Sequence, residues 1–243
     1  MNNLVSLLYL YFLISPGRLI LLLAAQIIGS LVLFAAVIAA LVFIVRNRMR
    51  RYKPLDLAVF DRLQKWPNAR RNRFMLLITF LGKHQFLVPA NLLLIVYFAV
   101  IARQTWLSIR VLAIASSSLV LMLLLKWLFG RKRPLSPLLK EARGLSFPSG
   151  HAIMSVSFFG LIIYCVLHAG WPQWVVIALT ILIVLLILLI GFSRIYLRVH
   201  YTSDVIAGFI IGFIWLIITL VVVNKAEQYS LANHEKIIHQ IPK

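Results

Sequence analysis

Acidic residues are scarce in this sequence of 243 residues. Six Asp and Glu face 25 Lys and Arg, which gives a formal net charge of +19. So few carboxylates cannot easily form the oxygen cage of a Mg²⁺ site or a two-metal centre. The single cysteine, Cys165, lies in an apolar run and excludes both a disulfide framework and a cysteine-based metal site. We therefore expect no metal and no other cofactor.

Charged residues of both signs are also few. They make up 13% of the chain, against roughly 25% in a typical soluble domain. Hydrophobic residues make up 62%, and the mean hydropathy is +0.96. These values indicate a multi-pass protein of the cell membrane, with too little polar surface for a nucleic-acid-binding domain. In such a protein a positive excess favours anionic lipid headgroups or a phosphorylated substrate as partners.

Apolar runs of membrane-spanning length divide the chain. A spanning helix needs about 20 apolar residues, and six runs meet or approach this length: about 19–45, 74–102, 107–129, 150–169, 174–192 and 204–223. The sequence thus predicts a single all-α domain over residues 1–243, a bundle of six transmembrane helices. The run before Pro16-Gly17 is too short to span and predicts an interfacial helix. Between spans one and two, apolar residues at helical spacing predict an amphipathic surface helix with Asp56 as its N-cap.

Six spans place the loops after spans one, three and five on one face of the membrane, and the unusual polar residues fall there. Lys126 and Arg133 flank the end of span three, although a membrane-end lysine is often only a snorkelling side chain. Ser149, Gly150 and His151 open span four, where free backbone N–H groups and the helix dipole favour an anion. A lone histidine at a helix start is, alternatively, a structural residue.

The segment Ser193–Asp204 lies between spans five and six and holds Arg194, His200 and Asp204. If the sixth helix begins at or before His200, the histidine and Asp204 lie four residues apart on one face. The carboxylate could then accept a hydrogen bond from the imidazole and orient it. A carboxylate at the start of a membrane span is costly unless paired, which favours a functional role. The alternative is that Asp204 simply caps the helix.

Together these side chains form the inventory of a phosphate site. Cations and backbone N–H groups stabilise phosphoryl oxygens without a metal, and a histidine can act as a covalent nucleophile. Lys83 interrupts the second span near the same face and is a possible secondary contact with substrate. We expect Arg131 and Lys132 to face solvent or lipid headgroups.

The three clusters resemble the signature motifs of the type 2 phosphatidic acid phosphatase superfamily. Lys126 with Arg133-Pro134 is similar to the first motif, Pro148-Ser149-Gly150-His151 to the second, and Ser193-Arg194 through His200 to Asp204 to the third. The six-span arrangement resembles the membrane branch of that superfamily, which includes bacterial undecaprenyl-diphosphate and phosphatidylglycerophosphate phosphatases.

The resemblance implies a role for each matched residue. His200 would attack phosphorus and become phosphohistidine, with Asp204 orienting it. His151 would protonate the leaving oxygen and then activate water. A third group would bind the phosphate: Lys126, Arg133, Ser149, Gly150 and Arg194. No motif residue is replaced, so the resemblance implies an active phosphatase.

The expected substrate is a lipid phosphate or diphosphate of the undecaprenyl diphosphate, phosphatidylglycerophosphate or phosphatidic acid class. A lipid phosphotransferase using the same phosphohistidine and a non-enzymatic lipid-phosphate binder or transporter remain alternatives. The six apolar spans argue against a soluble vanadium haloperoxidase. Bacterial relatives carry this site on the extracytoplasmic face, which we favour, whereas ten Lys and Arg in residues 46–73 favour the cytoplasm by the positive-inside rule. The oligomeric state is not predicted.

Overall fold

The computed structural model describes residues 51–63, 65–134 and 144–240, four isolated positions between 43 and 48, and side chains as far as Ala232. The fold below is that of the compact unit that begins at Tyr52. The predicted interfacial helix lies outside the described residues, as does the predicted first span except for two isolated positions. A count of six spans therefore stays a prediction.

Every regular element of the described residues is helical. Residues 52–63 form α1. The other α-helices are α2 (Ala69–Phe80), α3 (His84–Val96), α4 (Thr105–Phe129), α5 (Gly150–Leu167), α6 (Gln173–Tyr196) and α7 (Thr202–Gln240). A short π-helix, Tyr97–Ile101, continues α3.

Within the described residues, five stretches are long and apolar enough to cross a membrane: Ala69–Ile101, Thr105–Phe129, Gly150–Leu167, Gln173–Tyr196 and Thr202–Ala232. They correspond to predicted spans two to six, which confirms an all-α, multi-pass membrane protein. Most boundaries agree within a few residues. The main difference is α7, whose helix continues well beyond residue 223 because hydropathy marks the apolar run rather than the end of the helix.

The predicted second span is not one continuous helix. It breaks between α2 and α3, where Lys83 adopts an extended conformation as the N-cap of α3. The break places Gly82 against the site-facing ends of α5 and α6. A Cβ on Gly82 would lie 2.8 Å from Ile190 Cγ2 and 2.9 Å from His151 Cδ2. The absent side chain therefore lets the broken helix approach His151 closely.

Helix α5 lies between α4, α6 and α7 and is the most buried of the spans. Glycines of α7 allow its close packing on α5, since a Cβ on Gly208 would lie 2.9 Å from Ser149 O. Small residues at such crossings let membrane helices approach. The Ser149 N–H donates to the backbone oxygen of Asp204 at 3.0 Å. This contact fixes the start of α7 beside the start of α5.

Helix α1 packs its apolar face on the same end of the bundle. Phe60 and Leu63 are buried against a cluster that includes Ile195 and Val205. The prediction that Asp56 caps this helix is wrong, because residues 51–63 are helical throughout and Asp56 lies in the interior of the helix. Its side chain is buried instead of exposed.

At the opposite end of the bundle, a buried arginine contacts two neighbouring helices. Arg110 of α4 donates from Nε and Nη2 to Asn224 Oδ1 of α7, at 3.0 and 2.8 Å. It also pairs with Glu227 of α7. Its guanidinium lies 5.7 Å from the centre of the Tyr164 ring of α5. These contacts tie three helices together away from the predicted site.

Candidate active site

One cavity of about 450 Å³ brings most of the predicted site residues together. Its polar lining consists largely of residues from the three sequence clusters: Lys126, Arg133, Gly150, His151, Arg194 and His200. These come from the end of α4, the following loop, the start of α5, the end of α6 and the α6–α7 turn. The prediction that the loops after spans three and five meet on one face is therefore confirmed.

His200 lies in the turn before α7 and not on the helix itself, which begins at Thr202. The condition that the helix begin at or before His200 is therefore not met. Arg198 adopts a left-handed conformation (φ 54°) that turns the chain before the helix. The turn still brings His200 Nδ1 to 3.6 Å from Asp204 Oδ2. This separation exceeds a normal hydrogen bond.

Ser146 links the two groups, and sequence reasoning missed it. Its hydroxyl donates to Asp204 Oδ2 at 2.5 Å and lies 3.4 Å from His200 Nδ1. The Tyr201 N–H donates to the same carboxylate oxygen at 3.0 Å. Asp204 thus holds the N–H that precedes α7, but it is not the N-cap that the alternative interpretation expected, because α7 begins at Thr202 and Asp204 lies in its first turn. The only sequence signal for Ser146 was its position three residues before Ser149.

The hydrogen bonds around His200 assign its tautomer. Arg133 Nη1 lies 3.3 Å from Nε2 and can only donate, so Nε2 is the unprotonated nitrogen. The proton on Nδ1 then faces Ser146 and Asp204. Burial lowers the pKa of His200 to about 4, although the Asp204 carboxylate acts to raise it. His200 is therefore neutral near pH 7, with a lone pair beside a guanidinium.

At the start of α5, one expected donor is already used. The Ser149 N–H is bonded to Asp204, so the predicted anion-binding N–H groups reduce to that of Gly150. The Ser149 hydroxyl and His151 Nε2 are buried and have no hydrogen-bond partner among the described residues. A Cβ on Gly150 would lie 2.5 Å from Met122 Sδ, so this position admits only glycine without rearrangement.

Three cations of the cavity are held by neutral groups. Lys126 Nζ donates to Leu145 O at 2.8 Å, Arg133 Nη1 donates to Val199 O at 2.7 Å, and Arg194 Nη1 donates to Thr79 Oγ1. None of the three forms an ion pair with a carboxylate of the described residues. Burial lowers the pKa of Arg133 from its usual value. Arg194 is buried, and Lys126 and Arg133 are half-buried. Cations so shielded that have no carboxylate partner among the described residues suit an anionic ligand.

Lys83 and Arg131 do not lie where the sequence predicted. Lys83 does not line the cavity, whereas its neighbours Gly82 and His84 do. Arg131 does not face solvent as predicted, because its side chain is 13% exposed and pairs with Asp204 and Asp56. The local sequence carries no signal for these two ion pairs, because both partners of Arg131 lie more than 70 residues away.

The rest of the cavity is an apolar groove between α3 and α4. It is lined mainly by Leu87, Val88, Leu92 and Ile95 of α3 and by Leu112, Ala115, Leu119 and Met122 of α4. Several of these side chains are themselves exposed, Val88 at 54% and Leu112 at 57%. The groove therefore reaches the lipid-facing surface of the two helices.

The sequence of this chain is similar to a known family and to a known relative. The PAP2 superfamily matches residues 106–228, a range that contains the motif residues from Lys126 to Asp204. Phosphatidylglycerophosphatase B of Bacillus subtilis is 32% identical over 145 residues, covering 59% of this chain and 70% of the relative.

Two solved structures share the fold. The PAP2 type phosphatidylglycerolphosphate phosphatase of Bacillus subtilis aligns with a TM-score of 0.66 and 25% identity, over 76% of this chain and 92% of that one. LpxE of Aquifex aeolicus aligns with a TM-score of 0.50 and 27% identity, over 68% of this chain and 94% of that one.

Proposed function

Because this chain belongs to the PAP2 superfamily and is a membrane phosphatase, we propose that it hydrolyses a lipid phosphate or diphosphate through a phosphohistidine on His200. One observation carries the proposal: a single cavity has His151, His200 and three cations at one end and an apolar groove at the other. Such a cavity matches a substrate with one anionic and one hydrocarbon end. The predicted reaction needs no metal ion.

The phosphate is bound by charge and by backbone. Lys126, Arg133 and Arg194 neutralise its oxygens, and the Gly150 N–H and Ser149 hydroxyl complete the site. Preorganised donors of this kind stabilise charge that develops in a transition state. The buried Ser149 Oγ and Arg194 Nε have no hydrogen-bond partner within the part of the chain that the structure describes, which supports their assignment to substrate oxygens.

In the first step His200 Nε2 attacks phosphorus, and the bond from phosphorus to the leaving oxygen breaks. His151 donates a proton to that oxygen, which leaves as an alcohol from a monoester or as a lipid monophosphate from a diphosphate. The attacking nitrogen is already unprotonated, because the Nδ1 proton faces Ser146 and Asp204. Asp204 stabilises the cation that forms on the ring.

In the second step water attacks the phosphohistidine. His151, now neutral, accepts a proton from that water, the P–N bond breaks, and inorganic phosphate leaves. Both histidines return to their starting protonation states, so the cycle balances. Positioning supplies most of the acceleration in phosphoryl transfer of this kind.

The hydrocarbon tail lies in the groove between α3 and α4 and enters sideways from the bilayer. Phosphatidylglycerophosphate, phosphatidic acid and undecaprenyl diphosphate are the candidate substrates, and the name of the Bacillus relative favours the first. The phosphate end faces the extracytoplasmic side. Exposed basic residues near α1, among them Arg62, Lys65 and Arg70, contact anionic headgroups at that surface.

The test is phosphate release by the purified protein from a panel of lipid phosphates and diphosphates, with a chelator present. We expect release that is insensitive to chelator and lost in His200→Ala. The matched control is His168→Ala, an exposed histidine at the opposite end, which should keep wild-type activity. A strict metal requirement, or release by His200→Ala, would overturn the proposal.

A further inference from the structure

We propose that Arg131 and Asp56 are positioning residues for the nucleophile, acting through Asp204. Neither belongs to the three motifs, and Asp56 lies outside the residues that match the family. The inference rests on the proposed function, because it concerns the geometry of His200. Through Asp56, helix α1 would contribute to the geometry of the active site.

Arg131 holds the carboxylate oxygen that faces away from His200. Its Nη1 donates to Asp204 Oδ1 at 2.5 Å and to Ser203 Oγ at 2.8 Å. The opposite oxygen, Oδ2, is the one that accepts from Ser146 and lies nearest His200. Both edges of the carboxylate are thereby held, so its rotation is fixed. Asp204 is fully buried, and a buried carboxylate needs such partners.

Asp56 holds the other side of the same guanidinium. Arg131 Nη2 donates to Asp56 Oδ2 at 2.9 Å. Asp56 also accepts from the Ser203 N–H at 2.9 Å and from the Ser203 hydroxyl at 2.7 Å. Its side chain is 3% exposed, so this pair is shielded from solvent. The carboxylate of α1 therefore fixes both Arg131 and the first turn of α7.

Aromatic contacts fix the plane of the guanidinium. Arg131 lies 4.1 Å from the centre of the Tyr201 ring, and the Tyr201 ring lies 5.7 Å from that of Phe60. Phe60 belongs to α1, one turn after Asp56. The helix thus reaches the residue next to His200 by two routes, one ionic and one aromatic. Stacked and forked arginine contacts of this kind are not reproduced by lysine.

Loss of these contacts should affect the rotation of the Asp204 carboxylate. If Arg131 is removed, Asp204 Oδ1 loses its ion pair. The carboxylate is then still held at Oδ2 by Ser146 and the Tyr201 N–H, but its rotation about that edge is less restricted and its orientation toward His200 is less fixed. Misplacement by about 1 Å can lower the rate of an oriented reaction about 100-fold. Because neither Arg131 nor Asp56 lines the cavity, substrate binding should change little.

The test compares kcat and KM for Arg131→Gln, Arg131→Lys and Asp56→Asn. We expect kcat to fall about 10- to 100-fold in Arg131→Gln and at least fivefold in Asp56→Asn, with KM within about threefold of wild type. Arg131→Lys keeps the charge but loses the fork, so its kcat should lie between those of the wild type and Arg131→Gln. If the glutamine variant does not fold, the other two variants carry the same test.

Two control variants isolate the effect. Asp61→Asn changes an exposed carboxylate on the same helix, and Lys132→Gln changes the exposed neighbour of Arg131. Both should keep wild-type kcat. Melting temperatures in detergent report any general loss of stability separately.

A double-mutant comparison distinguishes positioning through Asp204 from a structural role. In an Asp204→Asn background, Arg131→Gln should lower kcat less than twofold further, because groups that act as a unit are not additive. Full additivity, or a wild-type kcat in Arg131→Gln, would overturn the inference while leaving the phosphatase proposal intact. An inactive wild-type protein would instead overturn the proposed function.

Discussion

His200 Nδ1 lies 3.6 Å from Asp204 Oδ2, and the Ser146 hydroxyl contacts both groups. The hydroxyl donates to Asp204 Oδ2 and lies 3.4 Å from His200 Nδ1. The direct separation alone is too long for a strong hydrogen bond. The serine is therefore part of the orienting system. Its own backbone N–H donates to Arg131 O at 2.7 Å, which fixes the loop that carries it.

Replacing Ser146 by alanine should lower kcat about 10-fold, because Asp204 loses a donor and the His200 Nδ1–H loses a neighbouring acceptor. KM should change little, since Ser146 does not line the cavity. Steady-state kinetics on the preferred lipid phosphate would measure both. The control is Ser108→Ala, a buried serine at the opposite end of the bundle. A Ser146→Ala variant with kcat within twofold of wild type would show that the serine has no orienting role.

The expected pH dependence follows from burial of His200, the proposed nucleophile. Burial lowers the pKa of His200 from 6.5 to about 4, so the reactive neutral form persists to a pH well below 6.5. The acid limb of kcat/KM should therefore lie below about pH 5. Asp204→Asn removes a charge that raises this pKa, so the limb should move to lower pH.

A substrate phosphate also titrates near pH 6, so the profile needs two substrates whose phosphate pKa values differ. A limb common to both belongs to the enzyme. An enzyme limb at pH 6.5 or above would contradict the assignment of a buried, neutral His200.

Hydropathy and motif spacing predicted much of this architecture. Five spans occur close to their predicted positions, and the residues of the three motifs meet around one cavity and its buried edge. The family predicted from Lys126, His151 and His200 is confirmed by the superfamily match. Their catalytic roles stay predictions.

Long-range polar contacts were not predictable. Asp56 and Arg131 are separated by 75 residues, and Ser146 and Asp204 by 58. Such pairs leave no periodic signal, so an acid on an amphipathic helix was interpreted as a cap and an arginine in a basic run as solvated. The break at Gly82 was missed for a related reason. Apolar residues continue on both sides of it, and hydropathy does not record backbone conformation.

A bulky side chain in the groove should discriminate between substrates by tail length. Ala115 lines the groove, so Ala115→Trp should raise KM about 10-fold for a long-chain lipid phosphate and leave a short, water-soluble phosphate ester unaffected. Val120→Trp is the control, because Val120 is on the same helix, is 64% exposed and lies outside the lining. Equal effects on both substrates would show that the tail lies elsewhere.

The side of the membrane that the site faces can be determined by labelling. In a Cys165→Ser background, Arg62→Cys places a thiol at an exposed position of α1. Ala169→Cys places one at the opposite end of the bundle. In intact cells an impermeant maleimide should label the first directly and the second only after permeabilisation. The reverse pattern would place the site in the cytoplasm, in agreement with the positive-inside count.

The most direct measurement is detection of the phosphorylated enzyme. A rapid quench at alkaline pH, followed by mass spectrometry, would be applied to the wild type and to His151→Gln with a lipid diphosphate as substrate. Its lipid monophosphate leaving group needs little protonation, so the variant should slow hydrolysis more than formation of the intermediate, which should then accumulate. We predict one phosphoryl group on His200, more in His151→Gln than in the wild type, and none in His200→Ala. Single-turnover product formation with no phosphorylated His200 would contradict the mechanism.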